Sequence, residues 1–278
     1  MRFLLLLFAL VLAPVGLLGQ SGVARPGVVA LIESSGPVTV TRSDGEDLGG
    51  RFHTSFYGIG ARLQTGVGGR AHLLFSNGLL IKLMPRSVLL IPEFRQDPYN
   101  ASLADWQREG SRSIVRLELE EGEILLESSQ LQAASTVLVS MGQADVVPGQ
   151  AAVRVTYREG EIHFGVVQGS VEFRRTGEIA ARTVGPGRQG RVVGESVDTE
   201  VELAPLELSA KEAAFFKTAP DIRTRVFFAT PGSPEGPNWG VKPLWVLPDP
   251  DDVPVRKPYR VREPAQLDLF RPVPEAAQ

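Results

Sequence analysis

From Val28 onward, glycine-bearing turns cut the chain into short apolar runs, and that spacing leaves little room for any fold but an all-β one. "VVALIESSGPVTVTRSDGED" reads as a strand, a Ser-Gly-Pro turn, an alternating strand over Val38–Thr41 and a turn at Ser43-Asp44-Gly45. In "SIVRLELEEGEILLES", Ile114, Leu117 and Leu119 are separated by charged residues, and Glu121-Gly122 is expected to turn the chain. Arg158-Glu159-Gly160, Gln168-Gly169 and Arg175-Thr176-Gly177 are further turn marks. Before Glu202 only "NASLADWQREG" (Asn100–Gly110) suggests a helical turn or two. The expected domain, 28–204, is a sandwich, jelly roll or solenoid-like fold of short antiparallel strands.

Within it, "TGVGGRAHLLFSNGLLIKLMPRS" (Thr65–Ser87) holds four glycines near an arginine, a composition shared by phosphate loops and by strand turns. A phosphate loop needs a helix after its glycines, because the helix N-terminus supplies oriented N–H groups. Here "RAHLLF" follows, then Asn77-Gly78 and "LLIKL", with no Lys-Ser or Lys-Thr pair, so the nucleotide reading fails. A two-residue Asn77-Gly78 loop would place Lys82 on the same face as Leu73 and Phe75. A three-residue Ser76-Asn77-Gly78 loop instead gives one face of Ala71, Leu73, Phe75, Leu79, Ile81 and Leu83. The other face then carries His72, Leu74, Leu80 and Lys82. The second register separates polarity better and puts Gly78 at the left-handed position of a type I turn with a G1 bulge.

The two ends differ from this middle. Met1-Arg2 followed by "FLLLLFALVLAPVGLLG" has the n-region and h-region of a signal peptide (1–24), with cleavage expected near Gly19 or Ala24. An uncleaved anchor is the alternative, since the apolar run from Phe3 to Gly19 is at the short limit for a span. After cleavage no stable membrane span is expected, and a periplasmic or secreted location follows. At the other end, "LSAKEAAFFKTA" reads as a short helix (205–219) with Ser209 as N-cap and Glu212 three residues on. Twelve of the 21 prolines lie in 220–278, a stretch expected to be an extended tail. Its aromatics, Trp239 and Trp245 above all, are candidate interaction residues, and a solvated linker is the competing reading.

Chemistry-bearing residues are sparse. There is no cysteine, which excludes disulfides, thiolate metal sites and a cysteine nucleophile. A net charge of -3 gives no reason to expect nucleic acid. His53, His72 and His163 form no ligand pattern, and the last two are expected at solvent-facing or satisfied edge positions. Glu118, Glu120, Glu121 and Glu123 could suit calcium, but a solvated strand face explains them more simply. Arg174, Arg175, Arg182, Arg188 and Arg191 read as a solvated positive edge rather than a polyanion site. Ser21 lies at the cleavage region, not on a nucleophile elbow. No catalytic residue, cofactor or metal is expected, and a hydrolase would need an acid pair or Ser-His contact absent from the pattern.

"GPVTVTRSDGEDL", "GARLQTGVGGRAHLLFSNGLLIKLMPRSVLLI" and "VRLELEEGEILLE" together resemble the FecR domain, named for the sensor of bacterial ferric-citrate signalling. Gly60, Leu63, Thr65, Gly66, Asn77-Gly78, Leu83, Pro85 and Ser87 match that family's pattern of turns and core strands. Ala61 stands where the family usually has Asp, and Leu79 where it has Ser. The resemblance runs from Gly36 to Val193 and is sharpest over Gly60–Ile91, where Gly60, Thr65, Gly66, Asn77 and Gly78 are the fold-defining turn residues. Regulators of the ferric-citrate type carry a cytoplasmic anti-sigma segment and a transmembrane helix before this domain. Only a signal-like segment precedes Gly36 here, so the resemblance implies an exported, non-enzymatic module for protein interaction in envelope signalling or organisation. The partner is expected to be an unknown envelope protein. The alternative is a carbohydrate- or peptidoglycan-binding module, with Tyr99, Trp106 or Trp239 stacking on cell-wall glycan.

Overall fold

The computed structural model describes residues 24–50, 54–97, 109–175, 181–192, 201–229 and 242–245. In chain order its strands are β1 (Arg25–Pro26), β2 (Val28–Ser35), β3 (Val38–Thr41), β4 (Thr54–Tyr57), β5 (Ala61–Thr65) and β6 (Arg70–Phe75). Next come β7 (Leu80–Leu83), β8 (Ser87–Gln96), β9 (Ser113–Glu127), β10 (Thr136–Met141), β11 (Ala144–Pro148) and β12 (Ala152–Arg158). The series continues with β13 (Glu161–Gln168), β14 (Val171–Arg175), β15 (Arg182–Val184), β16 (Arg188–Val192) and β17 (Glu202–Pro205). Helix α1 (Ala210–Arg223), β18 (Val226–Ala229) and β19 (Lys242–Trp245) complete it.

These strands make an all-β sandwich. Layer one runs β3-β5-β8-β9-β10-β11-β14-β15, with β1 against the far end of β8. Layer two runs β4-β2-β6-β7-β9-β12-β13-β16-β17. Every described pairing is antiparallel except β9 with β10. The layers share one core, crossed by aromatic pairs that take one ring from each: Phe75 and Phe94 at 5.2 Å, Phe164 and Phe173 at 5.0 Å.

One strand belongs to both layers. The first half of β9 pairs with β8 and β10, and its second half, from Gly122, pairs with β7 and β12. Glu121-Gly122, expected to turn the chain, instead lets the strand bend from one layer into the other without ending. Gly122 has φ +101°, and a Cβ there would overlap Ser87. The Ser87 hydroxyl accepts from Glu123 N (2.9 Å) and donates to Glu123 O (3.2 Å), so it satisfies the backbone at the crossing. Thr65 in turn accepts from Ser87 N (3.0 Å) and donates to Met84 O (2.6 Å).

The sandwich is also a stack. Strands β5-β6-β7-β8 place a hairpin in layer two between two strands that pair in layer one, and β11-β12-β13-β14 repeat that course. Strands β15 and β16 then take the places relative to β14 and β13 that β9 takes relative to β8 and β7. The sandwich and solenoid-like expectations therefore describe one object. Its ends are closed by β4 and β17 in layer two, while beside β3 Leu48 N donates to Val40 O (2.8 Å).

The first hairpin has the three-residue loop: Leu73 faces Ile81, Phe75 N donates to Leu79 O (2.9 Å), and Gly78 N donates to Phe75 O (2.8 Å) with φ +89° at Gly78. Ala71, Leu73, Phe75, Leu79, Ile81 and Leu83 are all buried in the shared core. The mixed face is buried too, because α1 lies on it. Leu74 and Leu80 join Ala30, Ile32 and Leu125 in a second cluster with Phe215, Ala219, Ile222 and Val226. His72, expected toward solvent or at an edge, is therefore buried, on a strand flanked by β2 and β7.

Helix α1 starts as the capping box predicts, with Ser209 N donating to Glu212 Oε2 (2.6 Å) and Glu212 N donating to the Ser209 hydroxyl (3.3 Å). It does not stop at Ala219. It continues through Pro220 to Arg223, since Ile222 and Arg223 gain contacts on the sheet that outweigh the lost proline hydrogen bond. Beyond it, within the Pro-rich stretch, β18 pairs antiparallel with β19. The signal-like segment 1–23, His53, Tyr99, Trp106, Trp239 and 246–278 lie outside the described residues, as does all of Asn100–Gly110 except its last two residues.

Candidate functional site

The fold-defining residues read from the sequence do not converge on one pocket. Gly60 (φ +73°) turns β4 into β5, and its N–H donates to Ile91 O (2.8 Å). Gly66 follows β5, donating to Pro37 O (2.9 Å), while Thr65 serves the β9 crossing. Asn77 and Gly78 sit at the opposite end of the hairpin.

There the loop enters a buried polar network that sequence reasoning missed. Asn77 is fully buried; its Oδ1 accepts from Leu79 N (3.0 Å) and its Nδ2 donates to Ser113 Oγ (2.9 Å). Ser113 donates to Glu109 Oε1 (2.5 Å), and Glu109 Oε2 accepts from Ser135 Oγ (2.6 Å) and Gln132 N (2.6 Å). Burial pushes the Glu109 carboxyl above the usual range, against those three hydrogen bonds. Ser76 adds a bond to Gln96 Oε1 (2.8 Å) and accepts from Val28 N (3.2 Å). The network is structural: its hydroxyls and the Asn77 amide are spent on neighbouring elements, while Gln96 Nε2 is buried without a partner among the described residues.

The more distinctive feature is how α1 is fastened. At its start, Arg154 on β12 pairs with Glu212 (3.1 Å), donates to Glu207 O (3.0 Å) and reaches Gln189 Oε1 (2.9 Å). Burial pushes Glu212 up, but its bonds to Ser209 and the Arg154 charge outweigh that and hold it below the usual carboxylate range. At its end, Arg223 donates to Gly78 O (3.0 Å) and Glu127 O (3.1 Å), and pairs with the Glu127 carboxylate. These side chains are only 10% and 6% exposed, and burial lowers the Arg223 pKa to about 10, so it stays charged at neutral pH. Between the clamps Phe215 lies 5.6 Å from the His72 ring and 5.6 Å from Lys82 Nζ. One arginine from the sheet and one from the helix thus brace the two ends.

Beside the first clamp lies an open recess of about 500 Å³, lined by Arg154, His163, Gln189, Glu207, Leu208, Ser209 and Glu212. His163, half-exposed, contacts Glu161 (3.3 Å), whose other partner is Arg191 (3.1 Å). Those two partners hold Glu161 below the usual carboxylate range. Glu123 nearby is pushed up by burial and by the Glu212 charge. The recess offers an amide, an imidazole and carboxylates to a polar ligand, while the Ser209 hydroxyl is committed to the helix cap.

The other charged groups singled out in the sequence disperse. Glu120 pairs with Arg62, and no group of three or more metal-ligating side chains occurs among the described residues. Arg174, Arg175 and Arg182 belong to layer one, Arg188 and Arg191 to layer two, and Arg175 is buried, so they form no single edge. Trp245 stands in β19 opposite Val226. The signal that could have located the helix site is the spacing of Phe215, Ala219 and Ile222, matched to the apolar pair Leu74 and Leu80 on the mixed hairpin face.

No curated protein sequence matches the chain. Two crystal structures described as a "putative anti-sigma factor" from Parabacteroides distasonis ATCC 8503, at 2.50 and 1.65 Å, are similar to it. They have TM-scores of 0.40 and identities of 19% and 18%, over 56% of this chain. The chain spans 63% and 64% of theirs. Residues 61–172, from β5 to the start of β14 in the heart of the sandwich, match the family model described as "FecR protein", a match consistent with a FecR domain there.

Proposed function

We propose that this protein is an exported, non-enzymatic module that mediates protein interaction in envelope signalling or organisation. The observation that supports it most is the FecR match over 61–172, a family of regulatory envelope domains. The motif residues of that match, Thr65, Ser87, Asn77 and Gly78, are all consumed in holding the layers and hairpin together. Recognition falls instead to the surface and to segments attached after α1. The signal-like start supports export to the periplasm or beyond.

The test is in-cell crosslinking of the intact protein followed by identification of its partners, run beside binding to purified sacculus. Recovery of a sigma-regulator or receptor component supports the proposal. Retention on sacculus with no protein partner overturns it in favour of the glycan-binding reading. Cell fractionation with N-terminal sequencing of the mature chain checks export, which fails if the protein stays in the cytoplasm.

A further inference from the structure

We propose that α1 is a releasable clasp on layer two, and that protonation of His72 beneath Phe215 opens it. The inference rests on the helix-sheet interface alone and stands or falls independently of the partner.

His72 is 8% exposed and its Nε2 has no hydrogen-bond partner, so one nitrogen of the ring is held against apolar surroundings. A neutral imidazole tolerates that position, whereas an imidazolium carries a second donor with nothing to receive it. The charged neighbours make matters worse for the cation. From β7 comes Lys82, stacked on the same Phe215 ring, with Arg70 of β6 and Lys211 of α1 adding to the positive field around it. Arg225, just past the helix, also faces the group. The carboxylate that faces His72 is Glu33 of β2, 3.2 Å from Nδ1, half-exposed and shared with Arg225 (3.3 Å). A proton on His72 therefore adds one more cation to a group served by one shared carboxylate.

Burial lowers the His72 pKa more than Glu33 raises it. The docked helix consequently prefers the neutral ring. Its docking strength is complete above the ordinary imidazole value of about 6.5 and declines as pH falls below it, toward the lower docked value. Glu212, held low, gives way only below the ordinary carboxylate range. Glu123, held high by burial and by the Glu212 charge, favours the docked form as pH falls, so from about pH 6.5 down to 5 the loss of docking comes from His72. Opening would free the clamps at Arg154 and Arg223 and uncover Ala30, Ile32, Leu74, Leu80 and Leu125.

Hydrogen exchange of the full-length protein, read by mass spectrometry at pH 7.5 and 5.5 after correction for intrinsic rates, tests this. One linked proton lets protection of 210–223 fall by up to about tenfold over that range. Peptides from β6 and the second half of β9 should keep theirs. His72→Phe and, independently, His72→Gln should abolish the pH-dependent part. The proposal is overturned if wild-type protection of α1 does not change. It is overturned equally if both variants lose protection like the wild type, or if the core strands lose it in step with the helix.

Discussion

Gly78 and Gly122 both stand at positive φ, +89° and +101°, yet their surroundings differ completely. A Cβ on Gly78 would meet nothing within 4 Å, so Gly78→Ala should cost only the left-handed backbone penalty, about 1 kcal/mol. A Cβ on Gly122 would overlap the Ser87 side chain and backbone, so Gly122→Ala adds overpacking and should cost more than about 3 kcal/mol. Urea unfolding of the two variants checks the order, and equal losses would contradict the crossing role given to Gly122. Asn77→Ala should cost about 2–3 kcal/mol in the same assay, because Leu79 N and Ser113 Oγ lose partners in a buried place. Thr65, Asn77 and Gly78 were legible from the sequence as turn residues, and Ser87 as a position matching the family pattern. Their buried bonding was not, since Glu109, Ser113 and Ser135 come from segments far away along the chain.

Helix α1 is held by two kinds of force that respond differently to substitution. Burying Phe215 contributes about 1.5–3 kcal/mol and is tolerant of geometry. The Arg223–Glu127 pair contributes little beyond a well-packed apolar pair, but removing one partner strands the other in a buried site. Arg223→Ala should therefore weaken docking by about 3–5 kcal/mol. The loss should be local: hydrogen-exchange protection falls in 210–223, while β6 and β12 retain theirs. A global collapse of protection would show that the helix is part of the core rather than an addition to it. Ser209→Ala, which removes only the cap, should cost about 1 kcal/mol and serves as the mild comparison. The start of α1 was readable from Ser209 and Glu212, because capping is a short-range matter. Its end was not. Pro220 is a sound local stop signal, and only contacts of Ile222 and Arg223 with distant strands override it. The burial of His72 escaped detection for the same reason: polarity along one strand cannot reveal what a helix more than a hundred residues later will cover.

At the scale of the molecule, alternation and turns sufficed to predict an all-β domain, because each strand carries its own period-two pattern. What alternation could not separate was a turn from a change of layer. Glu121-Gly122 has the composition of a turn, and the bonds from Ser87 that keep the strand running come from another part of the chain. The repeat of β5–β8 in β11–β14 was hidden likewise, since the two stretches share strand order rather than residues.

The passage of β9 through both layers has a mechanical consequence. In a sandwich whose layers are joined only by loops, a pull can peel one sheet away and leave the other standing. Here both halves hang on a common axle, and each half of that axle is gripped by a neighbour on either side. Tension between β2 and β16 should accordingly meet one barrier, and force spectroscopy should record a single rupture for 28–192. Two separate steps would mean that the axle can be shared out after all. A domain that breaks only as a whole transmits load from one end of the stack to the other without yielding by degrees.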